Sequence, residues 1–234
     1  MHKQDLIDGI RAALGSVADP ERARSAQAYM KSDMPSLGVP VPHVRRIAKD
    51  AAKAAPFTSA SELRDTVLTL WREANAREER YAAIDLTAAR LVAADLQMLP
   101  VYEEFIRTGA WWDLVDGVSP RIRELLLAHP DLMPELLLRW SADGDMWVRR
   151  AAITSQLGAK GRTSTTLLAA VILPNLADGE FFIRKAIGWA LREYGKSDPG
   201  WVAAFVAEHR EQLSPLSYRE AVRRLPAAAE GETR

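Results

Sequence analysis

Asp116 stands four residues after Trp112 in the segment WWDLVDGVSP (111–120). On a helix that interval stacks the two side chains one above the other. A carboxylate beside an electron-rich ring attracts positive charge from two directions. Trp111, Leu114, Val115 and Val118 form a core stripe, from which Trp112 and Asp116 face away. A second set lies in FFIRKAIGWALREYGK (181–196), where Phe182, Lys185, Trp189 and Arg192 follow at intervals of three, four and three and share one helical face. Cations that neutralise phosphates and aromatics that stack on bases or sugars are the chemistry of a nucleic-acid surface. Each set also has a plainer account. Trp112 is then partly buried packing and Asp116 the partner of a neighbouring arginine, while Trp189 is core with Lys185 and Arg192 snorkelling past it.

Other chemistries are excluded or unsupported. The chain of 234 residues has no cysteine, so it holds no disulfide, thiolate nucleophile, iron–sulfur cluster or cysteine-bound zinc. The four histidines, His2, His43, His129 and His209, have no metal-ligand spacing, and neither metal nor cofactor is expected. Lys plus Arg and Asp plus Glu both count 31, so any polyanionic partner must be met by a local basic surface. The N-terminal MHKQDLIDGIRAAL mixes both charges with apolar residues at helical spacing, unlike a signal or transit peptide, and no run approaches the roughly 20 apolar residues of a membrane span. A cytoplasmic protein that does not enter the membrane is expected.

Helical elements must position these residues. Apolar residues recur at helical spacing almost throughout, and no convincing strand emerges. Breaks fall at SLGVPVPH, PFTSAS, ADGDM, LADGE, KSDPG and LSPLS, and Gly117, Ser119 and Pro120 are expected to stop the Asp116 helix early. Arg45, Arg80, Val115, Arg149, Arg184 and Arg219 are spaced by 35, 35, 34, 35 and 35 residues. The next column reads Arg46, Tyr81, Asp116, Arg150, Lys185 and Glu220, and the one after it Ile47, Ala82, Gly117, Ala151, Ala186 and Ala221. The helix before each column keeps the same step in Val67, Tyr102, Leu136, Val171 and Val206. An all-α chain with this period reads as a single-domain superhelical solenoid of about six HEAT-like helical pairs over residues 1–226, with a concave groove, and residues 227–234 as a disordered tail. Equivalent positions of stacked helices face the same way, so Arg45, Arg46, Arg149, Arg150, Arg184 and Lys185 form a basic stripe there. The alternative for the stripe is a solvated face of intramolecular ion pairs.

Five ordered blocks, AYMKSDMPSLGVPVPHVRRIAK (28–49), WWDLVDGVSP (111–120), MWVRRAAI (146–153), FFIRKAIGWALREYGK (181–196) and LSPLSYREAVRRL (213–225), resemble the AlkD-type family of DNA alkylation-repair glycosylases built from HEAT-like repeats. The resemblance implies excision of N3- or N7-alkylated purines from double-stranded DNA by a monomer. It makes Trp112 and Asp116 the catalytic pair and Trp189 the second groove aromatic. It also implies that Arg150 holds the DNA backbone near the lesion, that Tyr29 is the tyrosine of the YMK segment, and that Lys185 and Arg192 are further backbone contacts. Phe182, Arg149, Arg45 and Arg46 join the expected DNA surface through their spacing.

An alkylated purine carries positive charge and leaves as a neutral base, so the sugar needs the help. A carboxylate near the developing oxocarbenium stabilises it, as in glycoside hydrolysis, and orients water. The expectation is a monofunctional enzyme narrow for cationic lesions, working without a deep base pocket. Two other functions fit the same features. One is a non-enzymatic scaffold binding DNA or protein through a concave face, and the other is a glycosylase protecting its host from a bulky DNA-alkylating natural product.

Overall fold

A computed structural model describes residues 3–225; the expected tail at 227–234 and His2 lie outside the described residues. Among the described residues every regular element is helical, with thirteen α-helices and four short 3-10 turns. The contacts divide the chain into two compact units, Met1–Phe105 and Ile106–Arg234.

The first unit holds α1 (Lys3–Ser16), α2 (Pro20–Met30), α3 (Val41–Ala54), α4 (Ala60–Arg72), α5 (Arg77–Leu86) and the start of α6 (Leu99–Gly109). Leu6, Ile7, Ile10 and Leu14 put a buried stripe on one side of α1, which packs against α3, α4 and α5. Trp71 of α4 stacks on Phe105 with ring centroids 4.2 Å apart. Glu78, buried at the start of α5, organises the segment before α3. Its carboxylate accepts from the Ser36 hydroxyl at 2.7 Å and from the N–H groups of Leu37, Gly38 and Val39 at 2.9, 2.9 and 3.2 Å. Gly38 has φ +73°, and a Cβ there would stand 2.3 Å from the Asp19 carbonyl oxygen, so both conformation and space require glycine. By contrast, α2 buries none of its residues, and it lines a cavity of about 190 Å³ with the 34–41 segment and α5.

The second unit holds the end of α6 and α7 (Trp112–Ala128), α8 (Met133–Ser141), α9 (Met146–Thr154), α10 (Thr165–Ile172), α11 (Phe181–Tyr194), α12 (Pro199–Glu208) and α13 (Pro215–Val222). Four of these helices have starts legible in capping side chains. Asp145, Ser164, Asp198 and Ser214 accept from the first-turn N–H groups of α9, α10, α12 and α13. Helices α7, α9, α11 and α13 pack in series, α8 lies against α9, and α12 lies against α11 and α13.

The 35-residue period is physical in this unit, because hydrogen bonds join residues about one period apart. Ser119 and Thr154 share one at 2.9 Å, Arg123 donates to the Leu157 carbonyl at 2.6 Å, and Asn175 donates to that of Ser141 at 2.9 Å. Ala151, Ala186 and Ala221 of the small third column are buried, as is Ala82 of the first unit. The all-α expectation and the helical-repeat packing therefore hold.

The expected early stop at Gly117, Ser119 and Pro120 does not occur, since α7 runs through Pro120 to Ala128. Proline removes one helical N–H and normally costs about 3 kcal/mol in a helix interior. Here Val118 and Ser119 on one side of it and Ile122, Leu125 and Leu126 on the other are all buried. Tertiary packing on both sides holds the helix together where local propensity breaks it.

Candidate nucleic-acid interface

Asp116 and Arg150, expected separately as an acid and a DNA contact, form one unit. Asp116 lies on the second turn of α7 and Arg150 on the second turn of α9. Arg150 Nε donates to Asp116 Oδ1 and Nη2 to Oδ2, both at 2.8 Å, while Nη1 donates to the Phe182 carbonyl oxygen at 2.6 Å. All three guanidinium nitrogens are engaged, and the Arg150 side chain is only 5% exposed against 15% for Asp116. The bidentate fork holds the carboxylate plane in one orientation. Burial pushes the Asp116 carboxyl above the ordinary aspartate range; Arg150 pulls it back, Asp113 adds to the rise, and burial wins.

Trp112 is half-buried one turn before Asp116, and Trp189 is half-buried on α11. Lys185 Nζ donates to Glu220 Oε1 at 3.1 Å, and Arg192 donates to Glu220 Oε2. Gly188 makes this possible: a Cβ there would lie 2.5 Å from Glu220 Cβ and 2.9 Å from the Ser217 carbonyl oxygen, so only glycine lets α13 come this close to α11. The Lys185 hydrogen bond holds the Glu220 carboxyl below its usual range, with the charges of Arg192, Lys185 and Arg223 in support. Arg149 is bound to Asp178 Oδ2 at 2.9 Å and to the carbonyls of Asp143 and Gly144, and Arg184 donates to the Asp178 carbonyl at 2.9 Å.

Arg149, Arg150, Lys185 and Arg192 are thus each engaged in an internal ion pair. The first unit carries Arg45, Arg46 and Tyr29. Arg45 and Arg46 are exposed on α3, with Arg45 Nε 3.1 Å from Asp85 Oδ1, and Tyr29 at the end of α2 is 75% exposed.

Phe182, expected on the DNA surface, is half-buried. Its ring packs at 5.5 Å from Trp111 and 5.1 Å from Trp147, which are themselves 5.9 Å apart. Sequence reasoning assigned Trp111 to the core and gave Trp147 no role. A signal was available in the period: Trp147 and Phe182 each stand two residues before a first-column arginine, Arg149 and Arg184. Among the described residues no group of three or more His, Asp or Glu side chains could hold a metal ion, and no helix is long and apolar enough to cross a membrane.

Comparison with known proteins bears on this site. No curated protein matches the chain. A solved structure described as a predicted DNA alkylation repair enzyme from Enterococcus faecalis matches it with a TM-score of 0.81 at 30% sequence identity, covering 90% of this chain and 98% of that one. The family described as DNA alkylation repair enzyme matches residues 10–225, which include every helix from α2 to α13 and all the residues of the Asp116 site. Sequence blocks, helical-repeat packing and family match agree, and the chain belongs to the DNA alkylation repair enzyme family.

Proposed function

We propose that this protein is a monofunctional DNA glycosylase that hydrolyses the N-glycosidic bond of cationic N3- or N7-alkylated purines in duplex DNA. The observation that carries this reading is the Asp116 carboxylate, fixed by a bidentate bond to buried Arg150 with Trp112 one turn away. Family membership supplies the context.

The chemistry follows from charge. As the bond from C1′ to the purine nitrogen breaks, its electron pair goes to the base, cancels the positive charge of the alkylated ring and releases a neutral purine. No general acid is required. Positive charge moves to the sugar, where the Asp116 carboxylate stabilises the oxocarbenium. Water then adds to C1′, losing its proton to Asp116 or to solvent, and leaves an abasic site. Trp112 and Trp189 offer π faces to the cationic base or sugar, each contact worth about 0.5–2 kcal/mol depending on desolvation. A neutral lesion such as uracil needs an activated leaving group, which nothing in this set supplies. A lyase step would need an amine nucleophile beside the sugar; Lys185, the amine on the face of Trp189, is bound to Glu220, which supports a monofunctional reaction.

On this reading Lys185 and Arg192 contact phosphates as the family resemblance implies, and Arg149 does so by its place in the column; in the first unit, Tyr29 is assigned to DNA by the resemblance and Arg45 and Arg46 by their columns. The backbone contact expected of Arg150 requires it to exchange one of its present partners. A second reading, a non-enzymatic DNA-binding scaffold, is favoured by one observation, the internal neutralisation of Arg149, Arg150, Lys185 and Arg192. The test is incubation with methylated duplex DNA and chromatography of the released bases, with wild type beside Asp116→Asn. Release of methylated purines by the wild type alone supports the glycosylase. Equal release by both proteins sinks the role of Asp116, and release by neither leaves the scaffold.

A further inference from the structure

The rings of Trp111, Trp147 and Phe182 come from three different helix starts. Trp111 is the residue that opens α7, Trp147 lies in the first turn of α9, and Phe182 lies in the first turn of α11. Their mutual ring distances of 5.1–5.9 Å and tilted or edge-on geometries are those of favourable aromatic packing. These three helices also carry the parts of the site: Asp116 on α7, Arg150 on α9, and on α11 the Phe182 carbonyl that takes the third arm of Arg150, followed by Lys185 and Trp189. Neither α7 nor α11 has a side-chain cap on its first turn, so their starts depend on packing rather than on a capping hydrogen bond. The indole Nε1 of Trp111 is buried without a hydrogen-bond partner. Leaving such a donor unsatisfied is costly, and a ring kept there at that cost is held for the place it occupies.

Resting on the glycosylase reading above, we propose that Trp111, Trp147 and Phe182 form an aromatic clasp that joins the starts of α7, α9 and α11 and sets the position of the Asp116 carboxylate through Arg150. Trp147 and Phe182 are its positioning residues and do not stack on DNA. Trp147 stands three residues before Arg150 on the same helical face, so its ring fixes the turn from which the guanidinium reaches Asp116. Phe182 places its ring in the clasp and its own carbonyl on Arg150, so one residue couples the packing to the hydrogen bond. The clasp reassigns Phe182 from the nucleic-acid surface suggested by its spacing with Lys185 and Trp189.

The test compares Trp147→Leu, Trp147→Phe and Phe182→Leu with wild type, each first checked for a cooperative thermal transition. Single-turnover release of methylated purine gives the rate, and titration with an abasic-analogue duplex gives the affinity. The expected result is a rate lower by about 10- to 100-fold in both leucine variants, the scale of a small misplacement of a reacting group, with affinity within about twofold of wild type. Trp147→Phe restores most of the rate. Adding Trp147→Leu to Asp116→Asn produces no loss beyond that of Asp116→Asn alone, because both changes act on one carboxylate.

A leucine variant that folds and keeps its rate, or one that loses affinity and not rate, overturns the clasp. Should Trp147→Leu not fold, the half-buried Phe182→Leu carries the same test. Failure of the glycosylase reading is separable, because the Arg150 Nε–H signal in NMR reports the clasp without activity. It is protected from solvent exchange in wild type, and Phe182→Leu exposes it. Continued protection in that variant refutes the clasp whatever the DNA chemistry.

Discussion

Asp116 and Glu220 occupy the same column of the repeat, and their side chains are equally accessible at 15%. Each accepts from a cation on the neighbouring helix of the series, Arg150 from 34 residues away and Lys185 from 35. Their acidities nevertheless move in opposite directions. Asp116 is bound to a single guanidinium that is itself buried, and loss of hydration outweighs the pair. Glu220 is held by Lys185, which is 40% exposed, and also by Arg192, and the two cations outweigh its burial. The repeat therefore sets who pairs with whom, and the number and burial of the partner cations go with the direction in which each acidity moves. On the proposed function, Asp116 is the acid that meets a new positive charge, whereas Glu220 is a counter-ion to Lys185 and Arg192.

The comparison is broken most severely by removing the cations. Arg150→Ala leaves the Asp116 carboxylate buried and alone, at an expected cost of about 3–5 kcal/mol in stability. Lys185→Ala leaves Glu220 with Arg192 and is expected to cost no more than about 1 kcal/mol, the value of an exposed pair. Urea titration of both variants checks this, and equal losses would mean that the two pairs are energetically alike.

Removing the acids comes next. Asp116→Asn is expected to slow excision by about 10²–10³-fold, the effect of losing one preorganised charge partner of a transition state. Glu220→Gln is expected to leave the single-turnover rate within about threefold, since a counter-ion away from the reacting atoms contributes little to that term. A rate collapse in Glu220→Gln would move the chemistry to α11 and α13.

Acidity supplies a finer discrimination. Asp116 has a raised folded-state pKa, so its protonated form is favoured by folding. Its ionisation lowers stability as pH rises from the ordinary aspartate value of 3.8 through the folded one. Excision that needs the carboxylate should accordingly fade on acidification at a pH above that ordinary value. Glu220 has a lowered pKa, so it contributes stability above the ordinary glutamate value of 4.5 and loses it as pH falls through the folded value. Glu220→Gln should flatten that acid-side loss in denaturation curves, whereas the acid limb of excision should be unmoved by the same change.

The smallest effect concerns salt. Freeing Lys185 and Arg192 by Glu220→Gln should tighten binding to undamaged duplex at low salt and steepen the slope of log K against log salt by about one unit for each of the two cations that gains a phosphate contact. A slope unchanged from wild type would mean that these cations already reach the DNA despite Glu220.

Much of the fold was open to sequence reading because it depends on local periodicity. The spacing of Arg149, Arg184 and Arg219, or of Val171 and Val206, needs only the helical repeat and the chain's own register. The same register foretold that Asp116 faces the column of Arg150, and one of the two accounts of Asp116 was an arginine pair. Three features resisted. Pro120 reads as a helix stop because propensity is local, whereas the buried residues on both sides of it act through tertiary contact. The ring contacts of Phe182 with Trp111 and Trp147 were not legible in its spacing with Lys185, because spacing says which residues share a face and not what packs against it. The cavity beside α2 carries no pattern at all, since an unfilled volume is a property of several segments together.

By itself the sequence determined the all-α class, the 35-residue step and the residues that meet across it, since a repeated chain presents equivalent side chains at equivalent heights. Only the tertiary structure decided that Arg150 spends all three nitrogens within the protein, that Trp111, Trp147 and Phe182 converge, and that Asp116 is raised while Glu220 is lowered. Solvent exclusion and third-partner contacts arise where separate helices meet. Their magnitude depends on distances that no interval along the chain contains.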